Sequence, residues 1–446
     1  MKIKHLAFLI FFLLGCTPTT STPTVEITST SSVVPTENLV ISTSTPMALP
    51  ENILNDLTIA YKVYDEINLY SIWIWKHNTL KKMLQQKHIY NPIVSSDGEW
   101  LVFIQIKFVT DNNLPTSEVW LIRTDGSDLQ LLLSSGELNN LSYDGRILEI
   151  NQIDWIPNQD KLLFTTNNNF KERPGLDPNF DLYSLDLEGQ ITKLANPEDG
   201  GIFTSSPNGK YVAVASRNRI GVINLETGEN LTLLNFEPFL QPCECYHVPP
   251  IFWGSQNDFI LTSILPHNFH YDYAGEPVQV WKLFTNGQDE LVTEFKLPSL
   301  RIKVSSNTQY FFYSGDGCLG KDKMLYIYTL EYENEEAHSC LSGDLIEWTP
   351  DSEHFVYQLH GLLQLGDIND KNNSQPIEFL NMLNESDVDI SEQWVWIDDE
   401  YFLLKLQDEE TCTLNIATLQ GIVKEIIRTD VNKYCLANDI NINFSQ

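Results

Sequence analysis

One pattern returns seven times along this chain and restricts its fold more than any other feature. Each copy has an apolar or aromatic pair, a short polar turn, then a strand of large hydrophobic residues. The copies are IVSSDGEWLVF (93–103), IDWIPNQDKLLF (153–164), IFTSSPNGKYVAV (202–214), IFWGSQNDFIL (251–261), IKVSSNTQYFFY (302–313), IEWTPDSEHFVY (346–357) and VWIDDEYFLL (395–404). With the first residue after each turn as anchor (Trp100, Lys161, Tyr211, Phe259, Tyr310, His354 and Tyr401), successive copies lie 61, 50, 48, 51, 44 and 47 residues apart, about 50 on average. Self-similarity at such a period belongs to folds assembled from stacked, equivalent units.

Further strands follow each copy. The third of a unit reads as EVWLIRT (118–124), DLYSLDL (181–187), IGVINL (220–225), VQVWKLF (278–284), LYIYTL (325–330) and TLNIATL (413–419). Turns such as TDGS, LEGQ, ETGE and TNGQ come next, then fourth strands such as LQLLL and ITKLA. Glycine in these links supplies the positive φ that a tight hairpin needs. Four antiparallel strands per unit of about 50 residues describe a β-propeller blade. The fold class expected is therefore all-β, a single propeller.

The two ends of the repeat region complete one another. LTIAYKV (57–63), LYSIWIW (69–75) and TLKKML (79–84) match the second, third and fourth strands of a blade that lacks its first. The terminal ININFSQ (440–446) matches that missing strand. The ring is expected to close by pairing the C-terminal strand with the N-terminal blade, which removes exposed sheet edges. Eight four-stranded blades result, or seven if the weak unit around residues 325–340 is incomplete.

The segments Ser95-Ser96-Asp97-Gly98, Trp155-Ile156-Pro157-Asn158, Ser206-Pro207-Asn208-Gly209-Lys210 and Trp348-Thr349-Pro350-Asp351 carry a further resemblance. They are similar to the signature of the TolB-like, or PD40 (WD40-like), propeller repeat, over nearly all of residues 51–446. The resemblance implies the propeller and little about function, because unrelated propellers share the repeat. A cell-envelope scaffold role, as in TolB, is an alternative that the repeat alone does not carry over. Prolyl-oligopeptidase relatives add an α/β-hydrolase domain, for which the repeats leave no room here.

The N-terminus, MKIKHLAFLIFFLLGC, has basic Lys2 and Lys4, then an apolar stretch from Leu6 to Leu14 that is too short to span a bilayer. It resembles a bacterial lipoprotein signal peptide, with Leu13-Leu14-Gly15-Cys16 in place of the lipobox. That resemblance implies cleavage before Cys16 and lipidation of Cys16. Residues 17–50 are rich in Ser, Thr and Pro and read as a disordered tether. The expected domains are thus 1–16 signal peptide, 17–50 tether and 51–446 propeller. Residues 1–16 hold two of the 28 basic residues; the remaining 26, set against 60 acidic ones, leave the mature chain at −34. So acidic a protein is a poor partner for nucleic acid. The expected address is the extracytoplasmic side of a cell membrane, reached through the lipid anchor, and the expected state is a monomer.

In a propeller blade, the links between strands one and two and between three and four share one face. The links between strands two and three, and between blades, share the other. Here the first group is short, whereas the second includes FVTDNNLPTSE, TTNNNFKERPGLDPNF, ILPHNFHYDYAGEP, SGDGCLGKDK and NFEPFLQPCECYHVPP. Long loops on a rigid scaffold are where binding usually resides. Phe170, Arg173, Tyr246, Phe269, Tyr271 and Tyr273 are the candidate binding residues of that face.

Cys243, Cys245, Cys318, Cys340, Cys412 and Cys435 fall on the same face, and their even number in an exported chain suggests disulfides. Cys318–Cys340 and Cys412–Cys435 would each tie two loops of one rim. Cys243 and Cys245 could bridge locally or bind metal. His267, His270 and Asp272, with His247 on the neighbouring loop, are the candidate ligands for a divalent metal, zinc or manganese, the one cofactor the residues suggest. Among Phe269, Tyr271 and Tyr273 they serve equally well as packing and hydrogen-bonding groups. The leading function is a non-enzymatic, surface-anchored propeller that binds a protein, peptide or glycan. The enzymatic alternative is a metal-dependent polysaccharide or peptide hydrolase or lyase.

Overall fold

In a computed structural model the strands pair into eight antiparallel sheets, the four-stranded blades of a β-propeller, one of which carries a two-residue fifth strand, Asp177–Pro178. The structure describes residues 49–66, 69–109, 114–168, 177–240, 246–266, 277–295, 302–315, 323–331, 334–341, 345–359, 362–370, 374–384, 394–407, 411–430 and 440–444. Blades 1 to 7 are numbered along the chain by their second strands: Trp100–Val109, Lys161–Asn168, Tyr211–Ala215, Phe259–Ile264, Tyr310–Gly315, His354–Leu359 and Phe402–Gln407. Six of the seven anchors open these strands, and Tyr401 stands one residue before the last. The unit around residues 325–340 is a full blade, so the count is eight.

Blade 8 joins the two ends of the repeat region. Its second, third and fourth strands are Leu57–Glu66, Leu69–Lys76 and Thr79–Lys87, and its first is Ile440–Phe444. Leu57 pairs with Phe444 and Tyr61 with Ile440. The closure expected from the sequence is therefore present.

The buried apolar side chains of the described residues fall into eight clusters, one at each seam between successive blades. Alternation along each strand sends successive side chains to opposite seams. Leu403 of blade 7 joins Ile59 of blade 8, for example, while Phe402 and Leu404 join Val356 of blade 6. The wheel has no single centre of hydrophobic burial; its core is distributed around the ring.

The repeated turn motif has a physical basis. Ser95, Ser206, Ser305 and Thr349 donate their hydroxyls to Asp97, Asn208, Asn307 and Asp351, at 2.5, 2.8, 2.8 and 2.6 Å. Each bond folds the chain back between the first and second strands, as Asx and Ser/Thr side chains do in tight turns. Neighbouring turns are then stitched together: Asn307 N–H donates to Ser352 Oγ (2.9 Å) and Ser255 N–H to Thr308 Oγ1 (3.1 Å).

Three features depart from the sequence reading. FVTDNNLPTSE is mostly hairpin rather than loop, because the apolar alternation of Ile104, Ile106 and Phe108 continues the strand, and Phe108 pairs with Pro115. Short helices occur at Glu51–Asp56, Ser135–Asn139 and Glu378–Asn384. The second starts with a capping box, in which Glu137 N–H donates to Ser134 Oγ and Ser134 N–H to Glu137 Oε2. Finally, blade 6 has a fourth strand of two residues only, Gln375–Pro376, and the helix Glu378–Asn384 takes over the rest of that edge. Asn381, 9% exposed, accepts from Leu363 N–H at 2.6 Å and donates to Leu363 C=O at 3.0 Å, as a strand residue would.

Candidate functional site

On the loop-rich face, the described residues bring together side chains from blades 2, 3 and 4. Arg217 lies in the turn between the second and third strands of blade 3. Its guanidinium carbon stands 5.2 Å from the centre of the Tyr246 ring and 6.0 Å from that of Phe180. Its Nη2 meets Glu198 Oε2 at 3.0 Å. Tyr246 comes from the link into blade 4, Phe180 from the approach to the third strand of blade 2, and Glu198 from the link between blades 2 and 3. A guanidinium beside aromatic rings gains cation–π attraction while its remaining N–H groups stay available.

The scaffold under this cluster is built from buried polar groups. Asp181, 1% exposed, accepts from Thr166 N–H at 2.8 Å and from Thr166 Oγ1 at 2.5 Å. Asn179 Nδ2 donates to the same hydroxyl oxygen at 2.7 Å. Burial pushes the Asp181 carboxyl above its ordinary value, and the Thr166 hydrogen bonds act against that shift. Backbone bonds fix the neighbours: Glu198 N–H donates to Asn179 C=O at 3.1 Å, and Gly200 N–H to Phe180 C=O at 2.6 Å. A side chain at Gly200 would run into the Asp181 carbonyl.

Two residues of the cluster adopt left-handed backbone angles that side chains seldom take: Phe180 at φ 47° and Glu198 at φ 72°. For a bulky aromatic such a conformation is an outlier, held only because the surroundings over-determine it. Here the surroundings are the Asp181–Thr166–Asn179 network and the Gly200 contact. They turn Phe180 under the guanidinium and Glu198 against its edge.

In the link into blade 4, the described residues up to 240 meet those from 246 onward. Leu240 and Tyr246 form an antiparallel bridge, and His247 N–H donates to Phe239 C=O at 2.9 Å. Leu240 and Tyr246 are 52% and 43% exposed, so a bridged pair presents apolar surface beside Arg217.

Of the residues singled out in the sequence, Tyr246 belongs to this cluster. His247 packs edge-on against Phe239, with ring centres 6.4 Å apart. Cys340, expected in a rim loop, lies within a fourth strand, Asn334–Leu341, opposite Met324. Cys412, also expected in a rim loop, is the second residue of the third strand Thr411–Thr418. Both shifts arise because the hairpins run further toward the rim than their loop-like composition suggests. Cys16, Phe170, Arg173, Cys243, Cys245, His267, Phe269, His270, Tyr271, Asp272, Tyr273, Cys318 and Cys435 lie outside the described residues. Among the described residues, no three His, Cys, Asp or Glu side chains gather as a metal-binding group. Phe180, Glu198 and Arg217 were missed because loop residues 18 and 19 positions apart form no motif. The Gly200-Gly201 pair was the one local sign of close backbone contact there.

No protein-family model and no curated protein matches the chain. Among solved structures it is similar to TolB from Acinetobacter baumannii, with 16% identity, 62% of each chain covered and a TM-score of 0.31. It is also similar to an oligogalacturonate lyase in complex with manganese, with 10% identity, 82% of this chain and 98% of that one covered, and a TM-score of 0.43. A prolyl endopeptidase shares 13% identity over 76% of this chain and 42% of its own, with a TM-score of 0.40. The propeller fold of this chain rests on its own strand pairing.

Proposed function

We propose that this protein is a lipid-anchored, extracytoplasmic propeller that binds a protein, peptide or glycan on its loop-rich face without catalysing a reaction. In this reading residues 1–16 are removed as a signal peptide, Cys16 carries the lipid, residues 17–50 form the tether and the propeller works as a monomer. The observation that carries the binding role is the placing of Arg217 against Tyr246 and Phe180. Arginine and tyrosine side by side on exposed loops have the composition of interaction hot spots.

Disulfides Cys318–Cys340 and Cys412–Cys435 would brace the rim, each contributing about 3 kcal/mol. Compatible with the second, Cys412 is buried, 1% exposed.

Two measurements test the proposal. Cys16→Ser should move the protein from the membrane to the soluble fraction; unchanged membrane attachment refutes the anchor. Metal analysis of the purified protein should find no stoichiometric zinc or manganese. Metal that is present, and lost on His267→Ala and His270→Ala, would instead favour a metal-dependent hydrolase or lyase.

A further inference from the structure

We infer that the Arg217 cluster is a docking point for a protein segment that presents one carboxylate next to an apolar side chain, within a segment that is otherwise neutral or basic. The inference rests on the binding role proposed for the loop-rich face and specifies its partner.

Four observations lead to this chemistry. First, Glu198 already places a carboxylate oxygen 3.0 Å from Arg217 Nη2 while remaining 59% exposed at its side chain. It marks where a carboxylate fits and leaves room for another to replace or join it, since a guanidinium fork matches carboxylate geometry. Second, Glu198 and Phe180 hold strained left-handed backbones at this spot and at no other point of the cluster. Strain kept in place by a buried network is a recurring property of binding sites. Third, Leu240 and Tyr246 project side by side from their bridge, both substantially exposed. Exposed leucine gives a sugar ring little but gives an aliphatic or aromatic side chain a surface to bury. This favours a protein segment over a glycan.

The fourth observation concerns charge. The chain carries a net −32, and Asp199, bound to Arg219 at 3.2 Å, follows Glu198 directly. A densely acidic or phosphorylated ligand is repelled by such a surface, whereas a single carboxylate at contact distance is not, because screening confines the field to roughly 8 Å at physiological salt. A neutral or basic segment with one acidic or C-terminal carboxylate meets both conditions.

The experiment is selection of a displayed random twelve-residue peptide library on the purified protein, without any selection against R217A, and a parallel glycan array that includes uronates. Enriched peptides should carry Asp, Glu or a free C-terminus beside Leu, Ile, Met or Phe. Their affinity should fall about tenfold or more on Arg217→Ala, less on Arg217→Lys, and about tenfold when the peptide carboxylate is made an amide. Glu198→Gln should raise affinity about two- to fivefold by removing the internal competitor. Unchanged melting curves for the variants separate lost contact from lost fold. Peptides that bind equally well to R217A, or as amides, overturn this inference and leave the loop-rich face as a binding surface. Glycan binding that depends on Arg217, without peptide binding, also overturns it and leaves that wider role standing. Failure of both libraries removes the inference and the binding role together.

Discussion

The indole Nε1–H of Trp155 in blade 2 donates to the carbonyl oxygen of Ile93 in blade 1 at 3.1 Å, joining residues 62 positions apart. The same bond recurs from Trp253 to Thr204 (3.0 Å) and from Trp348 to Lys303 (3.1 Å). The tryptophan of the repeated Ile-x-Trp triplet thus fills a seam with its rings and ties the innermost strand of the preceding blade with its N–H. Trp155→Phe keeps much of the apolar bulk and removes the donor, so it should cost about 1–2 kcal/mol; Trp155→Ala should cost about 3–5 kcal/mol. Denaturant unfolding of the two variants checks the order, and a Trp155→Phe variant as stable as the parent would show that the bond contributes nothing.

The pairing of Ile440–Phe444 with Leu57–Glu66 predicts that deleting residues 438–446 lowers the melting temperature by about 10 °C or more and promotes aggregation through the bared edge. Calorimetry of the shortened protein decides it; an unchanged curve refutes a structural role for the closing strand.

Lys405 predicts a dependence on pH. It is 7% exposed, its flanking Leu403 and cross-strand partner Leu414 both belong to the seam between blades 7 and 8, and no carboxylate pairs with it among the described residues. Burial pushes its ammonium pKa below the ordinary lysine value. Between the lowered native value and the ordinary one, the unfolded chain holds a proton that the native state has shed, so stability should rise with pH through that window. Lys405→Met should flatten the rise and lift the melting temperature near neutrality by about 1–3 °C. Parallel pH–stability curves for the two proteins would show that this lysine is not responsible.

Asn381 predicts a local failure. Asn381→Ala leaves the Leu363 N–H of blade 6 without the acceptor that stands in for a strand, at a cost of about 1–3 kcal/mol. Hydrogen exchange at Leu363 should accelerate in the variant more than at Val356 on the adjoining strand. Protection unchanged at Leu363 would mean that Gln375–Pro376 guards the edge unaided.

The propeller was legible because each of its units writes the same local instructions. Trp100, Tyr211 and His354 each follow a turn whose Ser or Thr hydroxyl binds an Asp or Asn two residues on, and each opens a strand with a two-residue period. The closing strand was legible for the same reason, since Ile442 and Phe444 continue the repeat. What the sequence hid was whatever depends on one place alone. Arg217, Phe180, Glu198 and Tyr246 sit in loops of three different blades and share no spacing. The conformations of Phe180 and Glu198 come from a buried Asp181 network whose members carry no recognisable signature. The edge role of Asn381 was hidden likewise, because it replaces a strand that the repeat would have supplied.

The blade shared by both ends also sets the timing of folding. Tyr61 meets its inner neighbour Ile440 only 379 positions later (440 less 61), so blade 8 stays an open hairpin pair until nearly all of the chain has been made. Contacts of such long range form late. Until that pairing forms the ring has no lock, whereas the seven other blades are each built from strands close together in sequence.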